Sequence, residues 1–234
     1  TVSNVLAEPG SWVAEGEILL EVDSAAYADL QAAYLEALDA GDYDTVGRLR
    51  PQLVAMNARQ AWEMVQKAEG VGVKHMTYFT FRWAPYYKYV RNLINRGFLG
   101  RFFLCEFRFP QGHGRQKKYR WEFDKNRSNG TAAEEGTHMA DMARWLVGDI
   151  ASITTQLGVF IDRPGAEGGP IDPANDCAVS LVKFANGALG TFQVSGVVHI
   201  ADRFVQQQIR LYGDAGSLEL EVVYYGSEAG TVIR

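Results

Sequence analysis

The chain has 234 residues, of which 47% are hydrophobic and 12% aromatic, and its formal net charge at pH 7 is −5. This length suits one large globular domain or a domain with an appendage, and the aromatic content excludes a disordered chain. The acidic balance argues against nucleic acid as a partner, because a phosphate-binding surface usually needs an excess of basic residues. The densest basic stretch, residues 115–120, is interpreted as a solvated loop.

The cysteines and the apolar stretches bear on the cellular compartment. Cys105 and Cys177 each lie in an apolar, strand-like run, which predicts two free core thiols rather than a disulfide or a thiolate zinc site. No stretch approaches the roughly 20 apolar residues that a membrane span requires, and the first residues do not have the pattern of a signal peptide. We therefore predict a cytoplasmic protein without a membrane partner.

The first third of the chain is predicted to be mainly helical. Residues 1–24 have the pattern of short strands separated by turns, with one strand ending at Val22. Three helices follow from the apolar spacing, over residues 24–40, 43–53 and 57–70, with Pro51 interrupting the second. Residues 74–81 are rich in β-forming, apolar side chains, which predicts a strand that is covered on both faces.

The rest of the chain is predicted to form a sheet with helices. Helices are expected over residues 85–96 and 131–147, with a strand at 102–109 and a long loop at 110–129 between them. Five further strands are expected, over residues 153–160, 177–184, 190–198, 206–212 and 217–223. The predicted fold class is α+β, a large, mostly antiparallel open sheet with helices on one face.

The helix predicted over residues 131–147 carries the candidate catalytic side chains. Glu134 lies four residues before His138, and Asp141 lies three residues after it, so the three can share one helix face. A carboxylate beside an imidazole raises the imidazole pKa and orients the ring, which suits proton transfer. The same spacing is also typical of a surface ion pair. It would suit metal ligands too, but the sequence offers no obvious second histidine, and we predict no metal.

Residues 129–148 have the sequence Asn-Gly-Thr-Ala-Ala-Glu-Glu-Gly-Thr-His-Met-Ala-Asp-Met-Ala-Arg-Trp-Leu-Val-Gly. This segment resembles the signature helix of the Gfo/Idh/MocA oxidoreductase family, whose pattern is Gly-Gly-x-x-x-Asp-x-Gly-x-His-x-x-Asp, then an apolar run, Trp-Leu and Gly. Five other segments resemble the family in the same order, at residues 72–85, 94–100, 121–124, 184–192 and 211–218. The resemblance spans about residues 54–223.

The resemblance implies an oxidoreductase that uses NAD or NADP and acts on a small sugar or cyclitol. It implies that His138 is the acid/base, or the group that orients the reacting hydroxyl, with Glu134 in the position of the family's usual Asp. Arg82, Tyr119 and Asp141 are implied as substrate-binding residues, although a structural ion pair is an equal alternative for Arg82. Family sheets commonly pack face to face, which implies a homo-oligomer.

Two features of the family are missing from the sequence. No Gly-x-Gly-x-x-Gly turn occurs, and Gly70-Val-Gly72 has the wrong context because it follows a predicted helix and precedes a predicted strand. The positions of the family's Lys-Pro pair hold Gln52 and Leu53, and glutamine cannot transfer a proton. We therefore expect this chain to be inactive alone. A non-catalytic sugar-binding or oligomerisation module is the alternative.

The N-terminal segment has a separate resemblance. Residues 9–38 resemble a half-lipoyl segment and helical hairpin of a periplasmic efflux adaptor, with Asp23-Ser24 where a lipoylated lysine would stand. Trp121 and Trp145 are predicted to be core residues rather than ligand contacts. Three regions are predicted: an N-terminal appendage (1–53), a remnant of the dinucleotide-binding domain (54–82), and a substrate-binding and oligomerisation domain (83–234).

Overall fold

The structure is a computed structural model that describes residues 2–5, 20–22, 25–201, 203, 205–224 and 229–234. The chain divides into two compact units, Thr1–Tyr78 and Phe79–Arg234. The turns predicted between residues 6 and 19 lie outside the described residues, and the adaptor resemblance stays a prediction. No helix in the described part has the length and apolar character to cross a membrane.

The first unit contains two paired strands and two helices. Strand β1 (Val2–Val5) pairs antiparallel with β2 (Leu20–Val22). Helix α1 (Ala25–Asp39) matches the predicted helix, and α2 (Tyr43–Val71) follows it. The Asp42 carboxylate caps α2 by accepting a hydrogen bond from the Thr45 backbone N–H at 3.1 Å.

The prediction of two helices over residues 43–70 is wrong, because α2 is a single helix of 29 residues. Pro51 removes one backbone hydrogen bond and disfavours the helix by about 3 kcal/mol, but the neighbouring turns keep theirs. Packing adds stability, since Tyr34 and Ala37 of α1 are buried with Val46 of α2. The break expected at the proline is therefore absent.

The predicted strand at 74–81 is also wrong. Residues 73–79 have no regular secondary structure, and residues 80–83 form a short 3-10 helix. Residues 74–78 are all exposed. A strand needs a partner for its backbone groups, and β-rich composition alone does not supply one.

The described residues of the second unit form a seven-stranded sheet with the order β4-β5-β6-β3-β7-β8-β9. Neighbours are antiparallel except β3 and β6, which are parallel. The elements are α3 (Pro85–Asn95), β3 (Phe102–Pro110), α4 (Thr131–Leu146), β4 (Ile150–Gly158), β5 (Cys177–Phe184), β6 (Leu189–Ser195), β7 (Gln206–Gly213), β8 (Ser217–Val223) and β9 (Gly230–Ile233). The predicted α+β class is confirmed, and β9 is an additional strand.

The core lies between one face of this sheet and the two helices. Alternate residues of β5 are buried from Ala178 to Phe184, whereas Val179 and Leu181 are exposed on the other face. The buried helix residues that cover the first face are Tyr87, Val90, Met139, Met142 and Leu146. Each such side chain contributes about 1.5–3 kcal/mol through burial. The apolar face of α4 is therefore packed against the sheet, and this packing stabilises the position of the helix.

The two cysteines are free thiols. Cys105 is fully buried in β3, and burial raises the pKa of its thiol to about 12, so it acts as an apolar core residue. Cys177, at the start of β5, is only half-buried. The core prediction is thus confirmed for Cys105 and too strong for Cys177.

Candidate functional site

A glycine and an asparagine fix the beginning of α4. Gly130 has φ 73° and ψ −168°, a conformation reserved for glycine, and a Cβ there would lie 2.2 Å from the Asn175 carbonyl oxygen. Asn175 Oδ1 accepts a hydrogen bond from the Ala132 N–H at 2.8 Å, and its backbone oxygen accepts one from the Thr131 N–H at 2.9 Å. The loop before β5 therefore caps the helix and sets the position of its side chains.

Arg82 and Asp141 form a two-pronged ion pair. Arg82 Nε donates to Asp141 Oδ2 at 2.8 Å, and Nη2 donates to Oδ1 at 2.5 Å. The Asp141 side chain is 8% exposed and that of Arg82 is 40% exposed. The hydrogen bonds to Asp141 raise the pKa of Arg82, so the guanidinium stays charged. This pair ties the 3-10 helix at residues 80–83 to α4.

His138 lies on α4 against two phenylalanines. Its ring centroid is 4.7 Å from that of Phe81 and 5.6 Å from that of Phe79, with an edge-on contact to Phe79. Its Nδ1 is buried and has no hydrogen-bond partner among the described residues. The imidazole is therefore held by ring packing, and its buried Nδ1 has no partner in the described part of the chain.

The direction of the His138 pKa shift corrects the sequence prediction. Burial lowers the pKa of His138 below its ordinary value of 6.5, and this outweighs the opposing effects of Asp141 and Glu134. The carboxylates were expected to raise this pKa. They do act in that direction, but the loss of water contact by the imidazole has the larger effect. The ring is neutral near pH 7, in the form that accepts a proton.

The other two predicted site residues have different hydrogen-bond partners. The Ser128 hydroxyl donates to Glu134 Oε1 at 3.0 Å, which links this carboxylate to the loop before α4. The Tyr119 hydroxyl donates to Asp124 Oδ2 at 3.3 Å, and burial raises the pKa of Tyr119. No hydrogen bond or ring contact in the described part links Tyr119 to His138. The roles proposed for both residues stay predictions.

Glu135 is a residue that the sequence analysis missed. Gln111 Nε2 donates to its Oε1 at 2.9 Å, whereas Oε2 is buried without a hydrogen-bond partner among the described residues. Burial, reinforced by Glu134 and Glu122, raises the pKa of Glu135 to about 7. A signal was present, because Glu135 precedes the fully buried Met139 by four residues and so occupies the core face of α4.

The two tryptophans differ from each other in burial. Trp121 is 55% exposed, so its prediction as a core residue is wrong. It lies in a short 3-10 helix, residues 121–123, where the two following residues are the buried ones. Trp145 is half-buried, and the guanidinium groups of Arg82 and Arg91 lie 5.8 and 6.0 Å from its ring centroid.

Residues 87–219 match the model of the GFO/IDH/MocA C-terminal domain, and this range is more than half of the chain. The chain belongs to the Gfo/Idh/MocA family. The resemblance noted in the sequence is thereby confirmed, and α4, with its His138 and Asp141, lies inside the matched range.

Named relatives within the Gfo/Idh/MocA family include two sugar dehydrogenases. A levoglucosan dehydrogenase of Pseudarthrobacter phenanthrenivorans is 25% identical over 203 residues, which are 75% of this chain and 51% of the relative. A D-apiose dehydrogenase of Rhizobium rhizogenes is 25% identical over 171 residues, 73% of this chain and 47% of the relative. The chain thus spans about half the length of these relatives.

A solved structure of this family has the same fold. The levoglucosan dehydrogenase complex with NADH and levoglucosan superposes with a TM-score of 0.59 at 24% identity. The superposition covers 69% of this chain and 47% of that one. The open sheet with its covering helices is therefore the family architecture.

The described residues do not fit the pyrophosphate of NAD or NADP. That group needs a glycine-rich turn between a strand and a helix, with backbone N–H groups at the helix start. In the first unit, Gly41 joins two helices and Gly72 ends α2, so neither glycine leads from a strand into a helix. The described part also contains no cluster of three or more His, Cys, Asp or Glu side chains placed to hold a metal ion.

Proposed function

We propose that this chain provides the substrate-binding part of an NAD(P)-dependent oxidoreductase that acts on a sugar or a cyclitol. The observation that carries the proposal is the half-buried imidazole of His138, packed against two phenylalanines on α4, within the range that matches the Gfo/Idh/MocA family. The sugar dehydrogenases among its relatives support the substrate class. In this proposal, residues 83–234 form the substrate-binding domain.

Each predicted site residue, and the phenylalanines that contact His138, has a part in this proposal. His138 hydrogen-bonds the reacting hydroxyl and accepts its proton, which a neutral imidazole can do near pH 7. Arg82 fixes the Asp141 carboxylate in position, and Asp141 stabilises the imidazolium when it forms. The two phenylalanines restrict the ring and exclude water from one side of it. Glu134, which Ser128 holds, is the second catalytic residue of this proposal, and Tyr119 contacts the substrate.

A second candidate function is a non-catalytic sugar-binding module. It is favoured by the absence of a Gly-x-Gly-x-x-Gly sequence and by Gln52 at the position of the family lysine. For the same reason we propose that these 234 residues do not turn over substrate alone. Both candidates predict sugar binding at His138. They differ in whether the nicotinamide end of the cofactor reaches the sugar bound at His138, which hydride transfer requires.

Thermal unfolding with a panel of sugars and cyclitols tests the proposal. We expect a ligand such as levoglucosan, D-apiose or an inositol to raise the Tm, because a ligand at 100 times its Kd stabilises the folded state by about 2.7 kcal/mol. His138→Asn is expected to weaken that ligand's binding by about two- to tenfold through loss of a hydrogen bond, with the Tm of the free protein unchanged. His199→Asn, at an exposed histidine outside α4, is the control.

NADH added to the sugar complex separates the two functions. Saturable quenching of tryptophan fluorescence supports the oxidoreductase, and protection by sugar without any NADH response favours the non-catalytic module. No response to any sugar contradicts both. A large fall in the Tm of free His138→Asn assigns this histidine a structural role instead.

We also propose that the uncovered face of the sheet packs against a second copy of the chain. Four apolar side chains on this face are between 42% and 66% exposed: Leu104, Val179, Leu181 and Leu189. The pairings Leu104 with Leu189 and Lys183 with Leu189 put them on neighbouring strands of the same face. Contiguous exposed apolar surface of this kind is typical of interfaces.

Sedimentation velocity tests the proposed association. Leu181→Glu is expected to raise the dimer Kd by about tenfold or more, because the interface would bury an unpaired charge. Leu157→Glu is the matched control: Leu157 is 51% exposed but pairs with the buried Ala178, on the opposite face. A monomeric wild-type protein at micromolar concentration, or equal effects of the two substitutions, contradicts the proposal.

A further inference from the structure

A cavity of about 300 Å³ lies outside the His138 site. Its lining comes from two parts of the chain: Gly112, His113, Arg115, Gln116, Lys118 and Arg120 follow β3, and Val198, Ile200, Ala201 and Arg203 precede β7. Two backbone hydrogen bonds connect these two parts of the chain. The Gly114 N–H donates to the Gly196 carbonyl oxygen at 2.8 Å, and the Val198 N–H donates to the Gln111 carbonyl oxygen at 3.1 Å. The volume is at the lower end of the about 300–1,000 Å³ of small-molecule pockets.

The lining of this cavity is strongly basic. Its cationic members are Arg115, Lys118, Arg120 and Arg203, and the imidazole of His113 also lines it. Arg120 binds the Glu122 carboxylate through Nε, and Arg203 Nη1 donates to Gln206 Oε1 at 3.5 Å. Arg115 and Lys118 have no ion pair with a carboxylate within the described ranges. Two cations therefore face the cavity without compensation there.

The groups around His113 indicate a positive field. Its Nδ1 is buried without a hydrogen-bond partner among the described residues, and its Nε2 lies 3.6 Å from Glu122 Oε1. Burial lowers the pKa of His113, and the charges of Arg120 and Arg163 lower it further against the opposing effect of Glu122. Two arginine charges therefore act on the imidazole beside this cavity.

We propose that this cavity binds a phosphoryl group, from free phosphate or from a phosphorylated small molecule. Arginine and lysine together suit this chemistry, because arginine binds two oxygens at once and lysine supplies a compact charge. The sequence predicts residues 115–120 to be a solvated loop, and phosphoryl binding gives this basic stretch a function. The assignment is independent of the proposed dehydrogenase role, since His138, Glu134, Asp141 and Arg82 are not part of the lining.

Titration calorimetry of the whole chain at low ionic strength tests this assignment, with inorganic phosphate, glucose 6-phosphate and glucose as ligands. Low salt is needed because screening weakens exposed charge pairs. We expect saturable binding of phosphate and glucose 6-phosphate at this site. Lys118→Gln and Arg115→Gln are each expected to weaken it by about tenfold through loss of a charged hydrogen bond. Lys117→Gln is the matched control, because this exposed neighbour is not part of the lining.

The ligands distinguish the two sources of the phosphoryl group. Glucose 6-phosphate binding much more tightly than phosphate supports a phosphorylated small molecule, whereas equal affinities support the free anion. Glucose alone shows whether the sugar part binds by itself at the His138 site, which Lys118→Gln leaves unchanged. No saturable binding of either phosphate compound at millimolar concentration overturns the assignment, as does a Lys117→Gln effect equal to that of Lys118→Gln.

Discussion

Arg163→Met is expected to lower the free energy of unfolding by about 3–5 kcal/mol, the effect of removing one partner of a buried ion pair. The side chains of Arg163 and Asp176 are 1% and 0% exposed, and Nη1 lies 3.2 Å from Asp176 Oδ2. Arg163 Nη2 also donates to the Gly114 carbonyl at 2.5 Å, and the guanidinium lies 4.0 Å from the Phe123 ring centroid. The substitution leaves a buried carboxylate without its cation and frees the loop that follows β3.

Chemical denaturation of the variant and the wild type measures this difference. Arg144→Met is the control, since Arg144 also makes two hydrogen bonds to one carboxylate, that of Asp149, but the two side chains are 62% and 74% exposed. An exposed pair contributes about 0–1 kcal/mol. If Arg163→Met costs no more than Arg144→Met, the buried pair does not stabilise this fold.

Most of the sheet was predictable because its strands are locally patterned. The bounds of β5, Cys177–Phe184, and β8, Ser217–Val223, agree with the prediction at both ends. In each strand buried residues alternate with less buried ones, and turn residues flank the strand in the sequence, so a period of two and a turn signal suffice. The long-range order of the strands was not predictable, since β3 pairs with β6, 85 residues later in the chain, and with β7, 100 to 111 residues later.

The failures occurred where local preference and context disagree. Residues 74–81 have β-forming side chains but no neighbouring strand in the described part. Their backbone N–H and C=O groups therefore form no ladder of hydrogen bonds with another strand. Pro51 opposes a helix locally, yet α2 continues through it. The short strand β9 was missed because the four residues Gly230–Ile233 give too little periodicity to detect.

The candidate site was predictable only as far as one helix extends. The spacing of Glu134, His138 and Asp141 follows from helix geometry, and the structure confirms the helix. The Arg82–Asp141 pair joins residues 59 apart, a contact that no local pattern indicates. The pKa of His138 shifts downwards because the ring is buried, in part against Phe81. Residue spacing along a helix does not indicate how deeply a side chain is buried.

Glu135→Gln is expected to stabilise the protein above pH 7 and to have little effect near pH 4. The folded-state pKa of Glu135 is raised from 4.5 to about 7, so ionisation opposes folding increasingly between those two pH values. At 1.36 kcal/mol per pKa unit, the gain on removing the charge is at most about 3 kcal/mol. Glutamine keeps the size of the side chain and its capacity to hydrogen-bond Gln111.

The measurement is the free energy of unfolding of both proteins from pH 4 to pH 8. Glu69→Gln, at an exposed position of α2, is the control and should change stability by less than about 0.5 kcal/mol throughout. Greater stability of the wild type at pH 8 would mean that the ionised carboxylate is favoured in the fold, which contradicts the effect of burial. If the stability advantage of Glu135→Gln over the wild type grows between pH 4.5 and pH 7, Glu135 is a proton-binding group. It lies one turn from His138 on α4, among the buried core residues of that helix.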